Sequence, residues 1–318
     1  MGTFKKRSIS WGAAPLILFL FFTNIRAAGD GWPKKMVITA PVADLRHEAS
    51  KKSSSYDPRF DWNQTTQLLF GDRVIAFEPP RRGWLKVAAI EQKIFVKNKW
   101  HCCTGWIREK KAKRVPYFYE RNLVVKEPWT RIRVARRKIN VSIGTKLFGT
   151  RLVGHNWEIA LSGDRRGYVS TRSVNLVKNK NRLRDRIIQV AKRFVGSPYF
   201  LGGRSFSCVD CSGLVGICYQ TVGINLPKNA KSQYQKCKKI RSNPKPGDLI
   251  FTSNTKSRNN ISHVMLYLGH DSLIEARWGE VKKVQLVNVK ERLGEPIHEI
   301  RSGDKVGRVY VFFGGYLS

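Results

Sequence analysis

Along the chain, the spacing of apolar positions changes once, near residue 180. Before it, apolar residues come in short β-branched and aromatic runs, such as "MVITAPVADLR", "QTTQLLFGDRVIAF" and "RIRVARRKINVSIGTKLFG". Glycine, proline and charged turns break these runs, which predicts many short strands. After it, Leu183, Ile187, Ile188, Val190, Ala191, Phe194 and Val195 recur at helical spacing, closed by Gly196 and Pro198. "CSGLVGICYQTVG" predicts a second helix that opens near Cys211 and stops at Gly223, and a third spans Ala230 to Lys236. Five strand-like runs follow: "DLIFTS", "SHVMLYLG", "DSLIEAR", "VKKVQLVNV" and "RVYVFFGGYL". Helices grouped before antiparallel strands are the α+β pattern.

The strand-rich part contains a loose internal repeat. "QLLFGDRVIAF…GWLKVA…GWI" aligns with "GTKLFGTRLVG…NWEIAL…RGYV": a strand enters a glycine turn, a second strand follows, and a tryptophan opens a third. Two tandem units of about five short strands each suggest two small β-barrels. The expected boundaries are 29–113 and 114–178 for the barrels and 179–318 for the α+β domain.

Charge narrows the class. Fifty-nine basic residues against 23 acidic ones give a net charge of +36, so an anionic partner or surface is expected. The first residues argue where that partner lies. Lys5, Lys6 and Arg7 precede a short apolar run from Ala13 to Phe22, and Ala27, Ala28 and Gly29 follow. This is the order of a secretory signal peptide, here residues 1–28. An exported protein of this charge meets an anionic envelope, and no nucleic-acid-binding signature accompanies the charge. Six cysteines are too few for a disulfide scaffold.

Candidate chemistry gathers in "SFSCVDCSGLVGICY". Cys208 and Cys211 are spaced C-x-x-C, but no second such pair or histidine pair completes a zinc set. Cys211 falls at the predicted helix start, where free N–H groups and the helix dipole favour a thiolate. Cys218 reads as a buried structural thiol. A nucleophilic thiol needs a base, and His263 opens an apolar strand. Glu275 lies twelve residues on. A hairpin turning through Gly269, His270 and Asp271 would centre on residue 269 and place Glu275 directly across from His263. A carboxylate there would orient the imidazole.

"GSPYFLGGRSFSCVDCSGLV", "LPKNAKSQ", "KPGDLIF" and "SHVMLYLGHDSLIEA" together resemble the NlpC-type family of cell-wall cysteine peptidases. The upstream region resembles the paired SH3-like domains of the branch that cleaves peptidoglycan stem peptides after D-glutamate. The resemblance implies a papain-like core with Cys211 as nucleophile, His263 as base and no metal or other cofactor. It also implies substrate contacts from Tyr199, Asp210, Ser212 and Asn229, a peptidoglycan partner and a monomer in the envelope or periplasm. Four departures stand out. Glu275 replaces the usual third histidine, and Leu201 stands where a tryptophan is common. Asn229 stands where an acid would hold a free amine, and Cys103 where the first barrel lends a tyrosine. They leave open a non-catalytic wall-binding protein, or an acyltransferase or amidase on the same core.

Overall fold

The computed structural model describes residues 31–52 and 57–317; the expected signal peptide lies outside the described residues. The first sheet comprises β1 (Lys34–Ile38), β2 (Val42–Arg46), β3 (Gln64–Leu69), β4 (Arg73–Ala76), β5 (Trp84–Val96), β6 (Lys99–Arg108) and β7 (Ala112–Arg114). Neighbours run β3-β2-β6-β5-β4-β1-β7, every pair antiparallel. Alternate residues point inward, as the pleat dictates, so Met36, Ile38, Leu45, Leu68, Val74, Leu85 and Ile107 share one core. The second sheet comprises β8 (Leu123–Val125), β9 (Trp129–Val134), β10 (Arg137–Ser142), β11 (Lys146–Val153), β12 (Asn156–Ala160), β13 (Arg166–Ser170) and β14 (Val174–Leu176). Its order is β10-β9-β13-β12-β11-β8-β14.

Adding seven to each strand number of the first sheet gives the second, so the two sheets share one topology. A 3-10 turn precedes the last strand in both, at Glu109–Lys111 and Thr171–Ser173. The repeat is thus present in the fold, but its frame differs from the expected one. "KLFGTRLV" is not two strands around a glycine turn; it is the single strand β11 with a bulge at Gly149–Arg151. The glycine equivalent to Gly71 is Gly144, and both have positive φ, at 77° and 83°. Gly149 is small for a different reason. A Cβ there would lie 2.5 Å from Leu123 Cδ1 and 3.0 Å from Trp157.

The C-terminal part contains α1 (Leu183–Lys192), a two-strand ribbon of β15 (Arg204–Ser205) and β16 (Cys208–Val209), α2 (Cys211–Gln220) and α3 (Ala230–Lys236). Then come β17 (Lys238–Ile240), β18 (Leu249–Ser253), β19 (Ile261–Gly269), β20 (Ser272–Arg277), β21 (Lys283–Asn288), α4 (Val289–Leu293), β22 (Lys305–Val306) and β23 (Val309–Gly315). The sheet order is β17-β23-β18-β19-β20-β21, with β22 on β23. Both faces are buried, which explains the unbroken apolar runs. Leu249, Phe251, Val264, Leu266, Ile274 and Phe312 face α1, α2 and α3. Ile250, Met265, Leu273, Val311 and Phe313 face α4 and the segment from Ile297 to Val306. The short α4 lay in the expected strand-and-turn region. Asn288 caps its first amides and Gly294 ends it at φ 113°.

From Trp32 onward the chain packs as one unit, and bonds between its parts converge on the loops around α2. From the part holding the first sheet, the Lys93 carbonyl accepts from Lys228 N at 2.8 Å and Phe95 N donates to Ser232 Oγ at 2.9 Å. Leu201 N donates to the Arg59 carbonyl, and Arg204 N to Gln67 Oε1. From the second, Ser142 Oγ accepts from Phe206 N, and the Gly144 carbonyl accepts from Gln220 Nε2. Glu91 joins the two strand-rich parts, since Arg73, Arg121 and Lys146 bind its carboxylate, and Lys146 carries the link to the C-terminal part by donating to Asn225.

Candidate active site

Cys211 is the first residue of α2, because Asp210 stops the preceding extended chain and caps the helix. Asp210 Oδ1 accepts from Gly213 N at 2.6 Å and Ser212 Oγ at 2.8 Å, and its Oδ2 accepts from Gly202 N at 2.9 Å. The helix start thereby locks to the glycine loop. That approach needs Gly213, since a Cβ there would sit 2.1 Å from the Gly203 carbonyl oxygen. Cys211 is left half-buried with its thiol at the positive end of the helix. The six cysteines are all free. Burial pushes the thiols of Cys103 and Cys208 up to about 11, and raises those of Cys218 and Cys237.

His263 and Glu275 do meet: imidazole Nε2 lies 2.6 Å from Glu275 Oε2. The expected hairpin register is wrong, however. The turn is the two-residue His270–Asp271, both at positive φ, and the ladder pairs Gly269 with Ser272 and Leu266 with Ile274. That register sets Glu275 across from Met265, so the His263 contact is diagonal, within reach of long side chains. A bulge also leaves Ser262 unpaired between Ile261 and His263; bulges re-aim side chains. The imidazole consequently links the two faces of the sheet. On one side it feels Cys211, which packs with the α2 cluster and raises the ring. On the other, Glu275 is fully buried and takes Arg292 Nε of α4 at 2.8 Å and Gln285 Nε2 at 2.9 Å on its second oxygen.

The electrostatics follow from these contacts. Burial pulls the His263 imidazole down, but Cys211 and Glu275 outweigh it and raise the ring to about 9. Burial would push the Glu275 carboxyl up; His263 and Arg292 override that and hold it at about 2. With Nε2 engaged by the carboxylate, Nδ1 is the nitrogen left for the thiol.

The other residues singled out from the sequence are placed unequally. Tyr199 is buried beside Cys211, and burial followed by Cys211 and Asp210 raises its phenol, so it stays protonated. Asp210 and Ser212 are buried, and their side chains serve the helix cap. Asn229 caps α3 by accepting from Ser232 N. Cys103 lies in the core of the first sheet and cannot line the cleft. The sequence reading missed Arg292, Gln285 and Trp278. Trp278 packs on Tyr199 at 5.6 Å and on Phe60 at 4.9 Å, and Phe60 meets Trp62 edge-on. An aromatic wall therefore stands beside Tyr199 although residue 201 is leucine. The signal for Trp278 was faint: one tryptophan just past a strand.

A thiol at a helix start, an imidazole on the facing sheet and a buried carboxylate behind it define the class of papain-like thiol sites on an α+β core. Residues 196–297, in the C-terminal part of this chain, match the model of the NlpC/P60 family. Among curated relatives, a gamma-DL-glutamyl hydrolase of Bacillus subtilis is 39% identical over 97 residues, 30% of this chain and 23% of that protein. A gamma-D-glutamyl-L-lysine dipeptidyl-peptidase of Bacillus cereus is 22% identical over 235 residues, 70% of this chain and 69% of that protein. The chain thus matches under a quarter of the first relative's length and about two thirds of the second's. A solved NlpC/P60 family protein from Bacillus cereus superposes with a TM-score of 0.71 at 20% identity, covering 89% of this chain and all of that one. That likeness of fold reaches across the strand-rich part of the chain.

Proposed function

We propose that this chain is an exported cysteine endopeptidase that hydrolyses peptidoglycan stem peptides at the amide between γ-D-glutamate and the diamino acid. The observation that carries it is the juxtaposition of three groups: Cys211 at the start of α2 lies close enough to His263 to raise its imidazole, and the imidazole Nε2 lies 2.6 Å from Glu275 Oε2. The two strand-rich domains are read as SH3-like barrels (29–113 and 114–178) before a peptidase domain (179–318). The relatives named for γ-glutamyl cleavage support the bond, and the charge of +36 supports an anionic envelope as the setting.

In this reading the Cys211 thiolate attacks the γ-carbonyl carbon. A thioester forms as the C–N bond breaks, and the departing amine takes the proton held on His263. Water, deprotonated by the same imidazole, then cleaves the thioester and regenerates the thiol. Glu275 keeps the ring oriented and favours the imidazolium. The Tyr199 phenol, held protonated, is a donor for the developing oxyanion. Asp210, Ser212 and Asn229 shape the cleft by fixing α2 and α3.

Digestion of defined stem peptides, with and without a free N-terminus, tests this by mass spectrometry. Products cut after γ-D-glutamate, abolished by Cys211→Ala, are expected. Pelleting with insoluble wall but no products would instead favour a binding protein.

A further inference from the structure

The loop from Trp278 to Lys282 joins β20 to β21 beside the candidate site. Tyr199 fixes it there: Tyr199 N donates to the Lys282 carbonyl at 3.0 Å, and the Tyr199 ring packs on Trp278 at 5.6 Å. The ladder that pairs Leu266 with Ile274, carried along both strands, brings residues 277 and 278 level with His263 and Ser262. Trp278 therefore packs on the phenol assigned to the oxyanion and stands level with the imidazole that protonates the departing amine. The chain beyond the scissile nitrogen leaves past these two groups, so Trp278 lies on the leaving side. Farther out the rings continue through Phe60, 4.9 Å from Trp278, to Trp62, which is 4.7 Å from Phe60 and 64% exposed. Its neighbours hold Trp62 out. Asp61 is buried on Arg46 at 2.8 Å, and Asn63 is buried with its amide oxygen on Glu48 N at 2.7 Å. An exposed tryptophan on a fixed backbone, one ring beyond a reaction centre, fits contact with a ligand.

Two cations flank Trp278, and only one of them is answered. The Arg59 guanidinium lies 6.0 Å from the ring centroid and is held by both oxygens of Asp57, at 3.0 Å each. The Lys282 ammonium lies 5.6 Å from the same centroid and enters no ion pair among the described residues. Its charge reaches Asp57, but Arg59 already occupies that carboxylate. Arg277, Glu280 and Lys283 are exposed around the loop. Lys282 is also held in the left-handed region, at φ 52°. Residues other than glycine keep such a conformation where their surroundings impose it, and often where function uses it.

We propose that Lys282 and the Trp278 face select the diamino acid on the leaving side of the scissile amide, and that they select one with a second carboxylate, of the diaminopimelate type, over lysine. This rests on the γ-glutamyl cleavage proposed above. The side chain of that residue lies along Trp278 with its far carboxylate on the Lys282 ammonium, a charge-assisted contact. The peptide that continues from it crosses Phe60 and Trp62. Lysine ends in an ammonium alone, which Lys282 repels. A diaminopimelate ends in an ammonium and a carboxylate, so the repulsion is offset. Discrimination therefore has a repulsive and an attractive element at one residue.

Two γ-D-glutamyl tetrapeptides ending in D-alanine, alike except for L-lysine or meso-diaminopimelate after the glutamate, test this on the full chain. The diaminopimelate peptide is expected to show a kcat/KM about tenfold higher. Lys282→Met should bring that ratio to about one, Lys282→Arg should keep it and Lys282→Glu should invert it. A merely structural role would slow both peptides alike and leave the ratio where it was. Trp62→Ala should raise KM for the diaminopimelate peptide about fivefold; an unmoved KM overturns the outer half of the path. Equal cleavage of the two peptides, or a ratio that survives Lys282→Met, overturns the selection by Lys282 and leaves the peptidase standing. If neither peptide is cut, binding decides. The Cys211→Ala protein is titrated by tryptophan fluorescence with the dipeptides diaminopimelyl-D-alanine and lysyl-D-alanine. A preference for the first that Lys282→Met abolishes keeps the site and removes the peptidase reading; equal binding, or none, removes both.

Discussion

At the scale of single residues, the site depends on two opposed pKa displacements. His263 is raised to about 9 and Glu275 lowered to about 2, so the charged pair persists between those limits. A ring raised above its usual 6.5 favours the folded state below that value and loses the benefit as pH climbs through about 9. A lowered carboxyl favours it above about 4.5 and loses the benefit as pH falls towards 2. The expected profile of kcat/KM therefore drops on the alkaline side near pH 9. Glu275→Gln removes one charge that raises the ring, so this limb moves to lower pH and kcat falls about a hundredfold; stopped-time assays across pH check both. An unmoved limb would mean that Glu275 does not set the ring's protonation. The three residues were legible because a helix start, a strand start and a short hairpin are local features. Their register was not, because Ser262 bulges and the turn has two residues rather than three.

At the scale of elements, Asp210 matters more to α2 than its position beside Cys211 suggests. Both its oxygens are committed to Gly202, Ser212 and Gly213. Asp210→Ala should cost about 1–2 kcal/mol, read from denaturant midpoints, and activity should fall as the helix start loosens. Gly149→Ala should destabilise by about 1–3 kcal/mol through its approach to Leu123. Gly149→Ala with an unchanged melting temperature would contradict the close packing in β11. Here the sequence misled in an instructive way. Gly144 and Gly149 look alike in the chain, but only Gly144 has positive φ, and nothing local separates a turn glycine from a packing glycine. The five-residue α4 is too short to show a helical period.

At the scale of the molecule, Glu91 and Lys146 together join three parts, which no periodicity could have revealed, since Glu91 takes its partners from residues 73, 121 and 146 and Lys146 reaches on to Asn225. Glu91→Gln leaves those cations facing one another and should cost about 3 kcal/mol; calorimetric melting measures it. With a net charge of +36, retention on anionic wall material should weaken steeply between low and physiological salt. Sedimentation across a salt series would show it, and salt-independent retention would assign the binding to uncharged contacts.

The imidazole that links both faces of the C-terminal sheet has a further consequence, one for inheritance. Arg292 on α4 and Gln285 on β21 hold the second oxygen of Glu275, away from the thiol's face. Lineages that replace the acid at 275 by a neutral ring or amide lose the reason for a half-buried guanidinium there. Positions 275, 285 and 292 should thus change together among descendants, and the far side of the sheet should carry as strong a record of selection as the loop around Cys211.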